Sequence, residues 1–305
     1  MGEEKKSKRL QTFSFSKLKN FEECPICYWR NYIKHFPKND KSGLSEFGTF
    51  CHKILEMYEK GELEIWEMLS YYKDNFAKEV PSSFVVKMSD TFSKDLYPYY
   101  YQDGENYFTN FNGYSNWEIL ESEYQFEIPI TDNALFNGKV DLIARSKKSG
   151  CLIIIDHKSK SKFKSKDELS EYAKQLYLYA FAVHEKYGEW PKTLYFNMFR
   201  KGELVTIPFD KKEYRMAMNW AIDTISAIQS VDWNEFGIEE TNDFCVDLEN
   251  PIVKFEHPCY NTDTKKLRFG DGHKKYSELC DYKNDFYGRN LCGYKDSCGL
   301  CVSHQ

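Results

Sequence analysis

Leu152-Ile153-Ile154-Ile155 constrains this chain more than any other segment, because the aliphatic run leads directly into Asp156-His157-Lys158. A short continuous apolar run after a turn-forming Gly150 has the pattern of a strand covered on both faces. Side chains alternate along a strand, so Asp156 and Lys158 share one face and His157 points to the other. An ionised carboxylate at the end of a buried strand is costly without a compensating cation. Lys158 supplies one, and a divalent metal would supply more.

A second carboxylate precedes this strand. Phe136-Asn-Gly138-Lys-Val-Asp141-Leu-Ile-Ala144 places Asp141 between aliphatic neighbours in mid-strand. Two aspartates on adjacent strands form a minimum oxygen cage for magnesium or manganese. Around them the pattern predicts strands at 118–130, 135–145 and 151–158, with turns at Thr131-Asp-Asn133 and Lys147-Lys-Ser-Gly150. A helix at 166–187 follows, opened by a Ser165/Glu168 capping box, with Leu169, Tyr172, Ala173, Leu176, Ala180 and Val183 as its apolar stripe. Strands at 192–200 and 203–209 and a helix from Lys211 to Gln229 complete the α/β portion.

Upstream, a short helix from Ser14 stops at Cys24 before Pro25, and a longer one runs from Ser45 to Gly61. Residues 64–115 read as helical and aromatic, without an assigned role. The organisation expected is a frayed terminus at 1–13, a helical segment at 14–116 carrying Cys24 and His52, an α/β core at 117–231, and an irregular cysteine-bearing segment at 232–305.

The net charge of −5 excludes a generally basic surface, so phosphate contacts must come from a local patch. One is at hand. Lys158, Lys160, Lys162, Lys164 and Lys166 alternate with Ser and Phe, and in extended form would present a cationic edge leading away from the carboxylates. No apolar stretch approaches the roughly 20 residues of a membrane span, and the start has no apolar signal core. The expectation is a cytoplasmic chain. In a reducing compartment its ten cysteines point to metal or cluster ligation rather than disulfides.

Gly138-Lys-Val-Asp141, then Asp156-His-Lys158, then Gln175-x-x-x-Tyr179 resembles the core motifs of PD-(D/E)XK nucleases of the RecB-like exonuclease branch. That branch includes the AddB nuclease domain and the CRISPR-associated RecB-like exonucleases. Ser14-Phe-Ser-x-Leu…Cys24-Pro-x-x-Tyr28-Trp-Arg30 is similar to its opening segment, and Phe47-Gly48-Thr-x-x-His52-x-x-Leu55-Glu56 to its helical histidine motif. The resemblance implies a restriction-endonuclease-like fold: a mixed central sheet flanked by helices, with an N-terminal helical segment and a C-terminal cysteine-rich clip. It implies that His52, Asp141 and Asp156 ligate Mg2+ or Mn2+, that Lys158 acts on the attacking water or the developing charge, and that Gln175 and Tyr179 position substrate or the lysine. Asp156 stands where many relatives carry Glu.

Cys292-x5-Cys298-x-x-Cys301, with Cys24 far upstream, is similar to the four-cysteine [4Fe-4S] clip of part of that branch, although the order of the long and short gaps is reversed. Cys24-x-x-Cys27 with Cys298-x-x-Cys301 would instead suit tetrahedral zinc. The function implied is a metal-dependent nuclease acting on DNA with a free end, as an exonuclease of repair, recombination or viral DNA processing. There is no phosphate-binding Gly-x-x-x-x-Gly-Lys-Ser/Thr loop, so a separate helicase or recombination protein is the expected partner. The other class is a non-catalytic DNA-binding or assembly subunit that keeps the fold.

Overall fold

A computed structural model describes residues 10–23, 25–36, 43–82, 84–88, 91–231 and 233, with two short strands further on. In chain order the elements are β1 (Gln11–Phe13), α1 (Phe15–Glu23), α2 (Pro25–Tyr28), a π turn at Trp29–Ile33, and α3 (Gly43–Glu59). Then come α4 (Met68–Glu79), β2 (Val85–Lys87), β3 (Ser93–Asp95) and α5 (Tyr97–Asn110). The sheet and its helices follow: β4 (Trp117–Thr131), β5 (Ala134–Ser146), β6 (Leu152–Lys158), α6 (Lys166–Tyr187), β7 (Thr193–Met198), β8 (Glu203–Pro208) and α7 (Lys211–Ser230). A strand pair, β9 (Tyr260–Asn261) and β10 (Lys266–Leu267), stands apart.

The expected mixed sheet flanked by helices is present. β5 carries β4 along one edge, while its other edge is shared by β1 near Ala134–Phe136 and by β6 along Leu142–Arg145. β6 then pairs in parallel with β7 through α6, and β7 pairs with β8 in a hairpin. Parallel neighbours need a long crossover, and α6 is that crossover. Leu152 and Ile154 join the core under α1, α6 and α7, whereas Ile153 and Ile155 pack with Leu142 and Ala144 on the opposite face. The aliphatic run is therefore covered on both sides, as its composition requires.

Described residues between 43 and 111 build a second hydrophobic core. α3, α4 and α5 enclose Phe47, Phe50, Ile54, Tyr72, Phe76 and Phe108, and Phe199 from the end of β7 joins them. α3 ends where Gly61, at φ +72°, turns the chain. Residues 10–13 are not a frayed tail: Gln11, Thr12 and Phe13 pair with Ala134, Leu135 and Phe136. Three residues carry no periodic signal of their own, and this strand exists because β5 has a free edge there.

Candidate active site

The ladder between β5 and β6 stops at Leu142 and Ile155, but β6 continues against β7 to the pair Lys158 and Met198. Asp141 and Asp156-His157-Lys158 therefore sit where the two strands part. The Asp141 carboxylate bridges the gap, with Oδ2 accepting the His157 backbone N–H at 2.7 Å.

On the α6 face, Lys158 Nζ lies 2.7 Å from Asp156 Oδ2 and donates to Gln175 Oε1 at 3.0 Å. Gln175 Nε2 in turn donates to the Tyr179 hydroxyl at 2.8 Å. Gln175 and Tyr179 are one turn apart on α6, which makes them neighbours on its surface. Gly138 admits the tyrosine: a Cβ there would lie 2.8 Å from Tyr179 Cε1 and 2.6 Å from Phe126 Cζ. The contact between Lys158 and Asp156 is an ion pair without good hydrogen-bond alignment, so buried Asp156 Oδ2 keeps unfilled hydrogen-bonding capacity. Burial pushes the Asp156 carboxyl up to about 6; Asp141 adds to this and the Lys158 ammonium opposes it. Burial, with the charges of Asp156 and Asp141, also raises the Tyr179 hydroxyl pKa, although the Gln175 hydrogen bond opposes this.

His52, on α3, places Nδ1 3.8 Å from Asp141 Oδ2. Burial pushes its pKa down to about 4 and outweighs the attraction of Asp141. The ring is therefore neutral near pH 7, although 31% of the side-chain surface remains accessible. Gly48 lets α3 approach this end of β6, since a Cβ there would lie 3.3 Å from Ser159 Oγ.

The opposite face of β6 holds a network that sequence reasoning missed. His157, 3% exposed, places Nε2 2.9 Å from Glu59 Oε1, and Glu59 also accepts from the Tyr114 and Ser122 hydroxyls at 3.0 and 2.8 Å. On its other side, His157 Nδ1 meets Asn197 Nδ2 at 3.0 Å, and that amide donates to the Tyr107 hydroxyl at 2.7 Å. Burial alone would lower the His157 pKa; the Glu59 charge and hydrogen bond, with Asp141 and Asp156, raise it overall. A sequence signal for Glu59 did exist. It lies seven residues after His52, two turns along the same helix and so on the face that approaches the sheet.

The basic segment is not a continuous extended edge. Lys160 is tied to Glu168 at 2.5 Å and sits over the Tyr172 ring at 5.0 Å, while Phe163 packs on Phe196. Lys162, Lys164 and Lys166 remain exposed. Ser165 caps α6 by accepting the Glu168 N–H at 3.1 Å, and Glu168 turns back to the Lys164 backbone rather than to Ser165.

A family model described as the PD-(D/E)XK nuclease superfamily matches residues 12–298, most of the chain. The chain belongs to that superfamily. Among solved structures, it is similar to a protein of Eubacterium rectale described as a "Putative exonuclease", at 14% identity and a TM-score of 0.43, over 72% of this chain and 80% of that one. It is also similar to the protein SSO0001, at 17% identity and a TM-score of 0.28, over 69% and 84% of the two chains. No curated protein matches the sequence.

The expected metal centres need correction. Among the described residues, no group of three or more His, Cys, Asp or Glu side chains could hold a metal ion. The expected Mg2+ or Mn2+ site on His52, Asp141 and Asp156 does not fit this arrangement. Asp141 Oδ2 is taken by a backbone N–H, Asp156 Oδ2 faces an ammonium, and His52 approaches only the oxygen already engaged. For the described residues alone, the expectation of a [4Fe-4S] cluster or structural zinc is corrected on the same finding: Cys27, half-buried in α2, belongs to no such group. Cys24, Cys292, Cys298 and Cys301 lie outside the described residues.

Proposed function

We propose that this chain is a nuclease that hydrolyses DNA phosphodiester bonds from a free end, within the RecB-like exonuclease branch of its superfamily. The observation that carries the reading is the parted end of β6, where Asp156 and Lys158 sit 2.7 Å apart on one face with buried Asp156 Oδ2 left unfilled.

Hydrolysis requires a water to lose a proton as it attacks phosphorus, and a cationic group to meet the charge that develops on the phosphate oxygens. A carboxyl held at about 6 is close to the operating pH of a general base. Asp156 Oδ2 takes the water proton, the water oxygen bonds to phosphorus, and the bond from phosphorus to the leaving oxygen breaks. That oxygen takes its proton from solvent. Lys158, steadied by Gln175 and through it by Tyr179, turns its ammonium to a non-bridging oxygen. Neutral His52 offers the phosphate a hydrogen bond without adding fixed charge. Exposed Lys162 and Lys164 follow the strand away from the site, and Lys160 closes the near end beside Glu168. Strand separation would come from a separate helicase or recombination protein.

The test is cleavage of end-labelled single- and double-stranded DNA, with RNA in parallel, in buffers containing divalent cations and in buffers containing EDTA. Wild type is expected to shorten DNA progressively from an end, and Lys158→Ala, folded by circular dichroism, to leave it intact. A folded wild type that cleaves nothing under any condition, or a variant that cleaves as well as wild type, would overturn the reading.

A further inference from the structure

A cavity of about 540 Å³ opens between α5, the segment at 111–117 and the β7–β8 turn, within the size range of small-molecule sites. We propose that it binds a nucleotide through its base. Phe111 and Trp117 bring ring surface to its lining, backed by Tyr114, which is stacked on Trp117 at 5.7 Å, and a base of any identity can stack on such a surface.

The base of the cavity is polar and incompletely used. Asn197 and Tyr107 both line it, at 4% and 7% exposure, and the Asn197 amide nitrogen serves both Tyr107 and His157. Among the described residues, that leaves the Asn197 Oδ1 acceptor and the Tyr107 hydroxyl proton without partners. Turning the amide over would let Oδ1 accept the Tyr107 proton and leave the amide nitrogen as the spare group, so one polar position at the base stays unfilled either way. A polar pair beneath aromatic walls complements the planar, mixed donor–acceptor edge of a nucleobase and leaves a purely aliphatic ligand poorly served. Exposed Lys201 at the rim, 3.7 Å from Asp103, can meet the phosphate.

This site lies on the His157 face of β6, and Lys158 lies on the other. Choosing a nucleotide over other planar ligands rests on the nuclease reading, since that activity supplies both bases in a strand and free nucleotides as products. Asn197 touches His157, whose backbone N–H holds Asp141, so the cavity adjoins the proposed catalytic end of the strand.

The test is calorimetric titration of the full chain with each 5′-deoxymononucleotide and with a short single-stranded oligonucleotide. One saturable site per chain is expected, weakened at least tenfold by Phe111→Ala and retained in Lys158→Ala. Should Phe111→Ala fail to fold, Asn112→Trp, which blocks the exposed mouth, gives the same readout. Competition between mononucleotide and oligonucleotide assigns the occupant to a strand; independent binding assigns it to a free nucleotide. No nucleotide binding, or binding lost in Lys158→Ala and kept in both cavity variants, would overturn the proposal. Nucleotide binding by a chain that cleaves nothing would sink the nuclease reading and leave the cavity's ligand chemistry standing.

Discussion

The two faces of one strand end are built on opposite terms. Toward α6, Asp156 is buried with an oxygen unfilled and a carboxyl pushed up to about 6, and Lys158 keeps 20% of its side-chain surface open. Toward α3, His157 and Glu59 are almost fully enclosed, and partners reach them from α3, β4, β7 and the segment before β4. Buried polar groups are ordinarily satisfied, and an exception points to strain or to chemistry. The His157–Glu59 pair follows that rule and holds the strand. The Asp156 face departs from it, and the departure is where a substrate would act.

Activity separates the faces most sharply. Lys158→Ala is expected to reduce DNA cleavage by about a thousandfold or more with little change in the thermal midpoint. Equal activity would remove Lys158 from the machinery.

Stability should show the reverse order. Glu59→Ala strips His157, Tyr114 and Ser122 of a shared buried acceptor, and a cost of about 3–5 kcal/mol is expected in denaturant unfolding. A loss below about 1 kcal/mol would mean that this face is no more structural than a surface ion pair.

Asp156 supplies a pH signature of the unsatisfied face. Its folded-state pKa, about 6, lies above the ordinary 3.8, so the folded chain holds this proton more tightly than the unfolded one. The resulting stabilisation is complete below about pH 4 and is lost as pH rises through about 6. Asp156→Asn cannot lose it, so its stability relative to wild type should improve from pH 4 to pH 7 by up to about 3 kcal/mol, while cleavage disappears. A stability difference independent of pH would contradict the raised carboxyl.

Gly138→Ala probes how Lys158 is steadied. The new methyl meets Tyr179 and Phe126, and a cost of about 1–3 kcal/mol is expected, together with a fall in kcat larger than any change in KM. Unchanged kcat would show that Tyr179 does not position the lysine.

Local regularities made the Asp156–Lys158 face legible in sequence. Strand alternation alone put Asp156 and Lys158 together and His157 opposite, and the one-turn spacing of Gln175 and Tyr179 put both on one helix face. What escaped depended on contacts distant in sequence. β1 is three residues that pair only because β5 leaves an edge free, and Glu59 meets His157 across 98 positions. The metal expectation failed for a related reason: residue types at the right spacing name possible donors, but not the backbone N–H that occupies Asp141 Oδ2 or the ammonium that sets a positive charge beside Asp156 Oδ2. The cavity escaped because part of its wall comes from 64–115, where aromatic composition gave no periodic clue, and part from the β7–β8 turn far along the chain.

The most direct test is single-turnover cleavage of end-labelled DNA by wild type, Lys158→Ala and Glu59→Gln side by side, each first shown to be folded. The account predicts shortening from an end by wild type, none by Lys158→Ala, and a slowed but measurable reaction by Glu59→Gln, which keeps the shape of the buried acceptor. Cleavage by Lys158→Ala at the wild-type rate would contradict the assignment of the reaction to the Asp156 and Lys158 face.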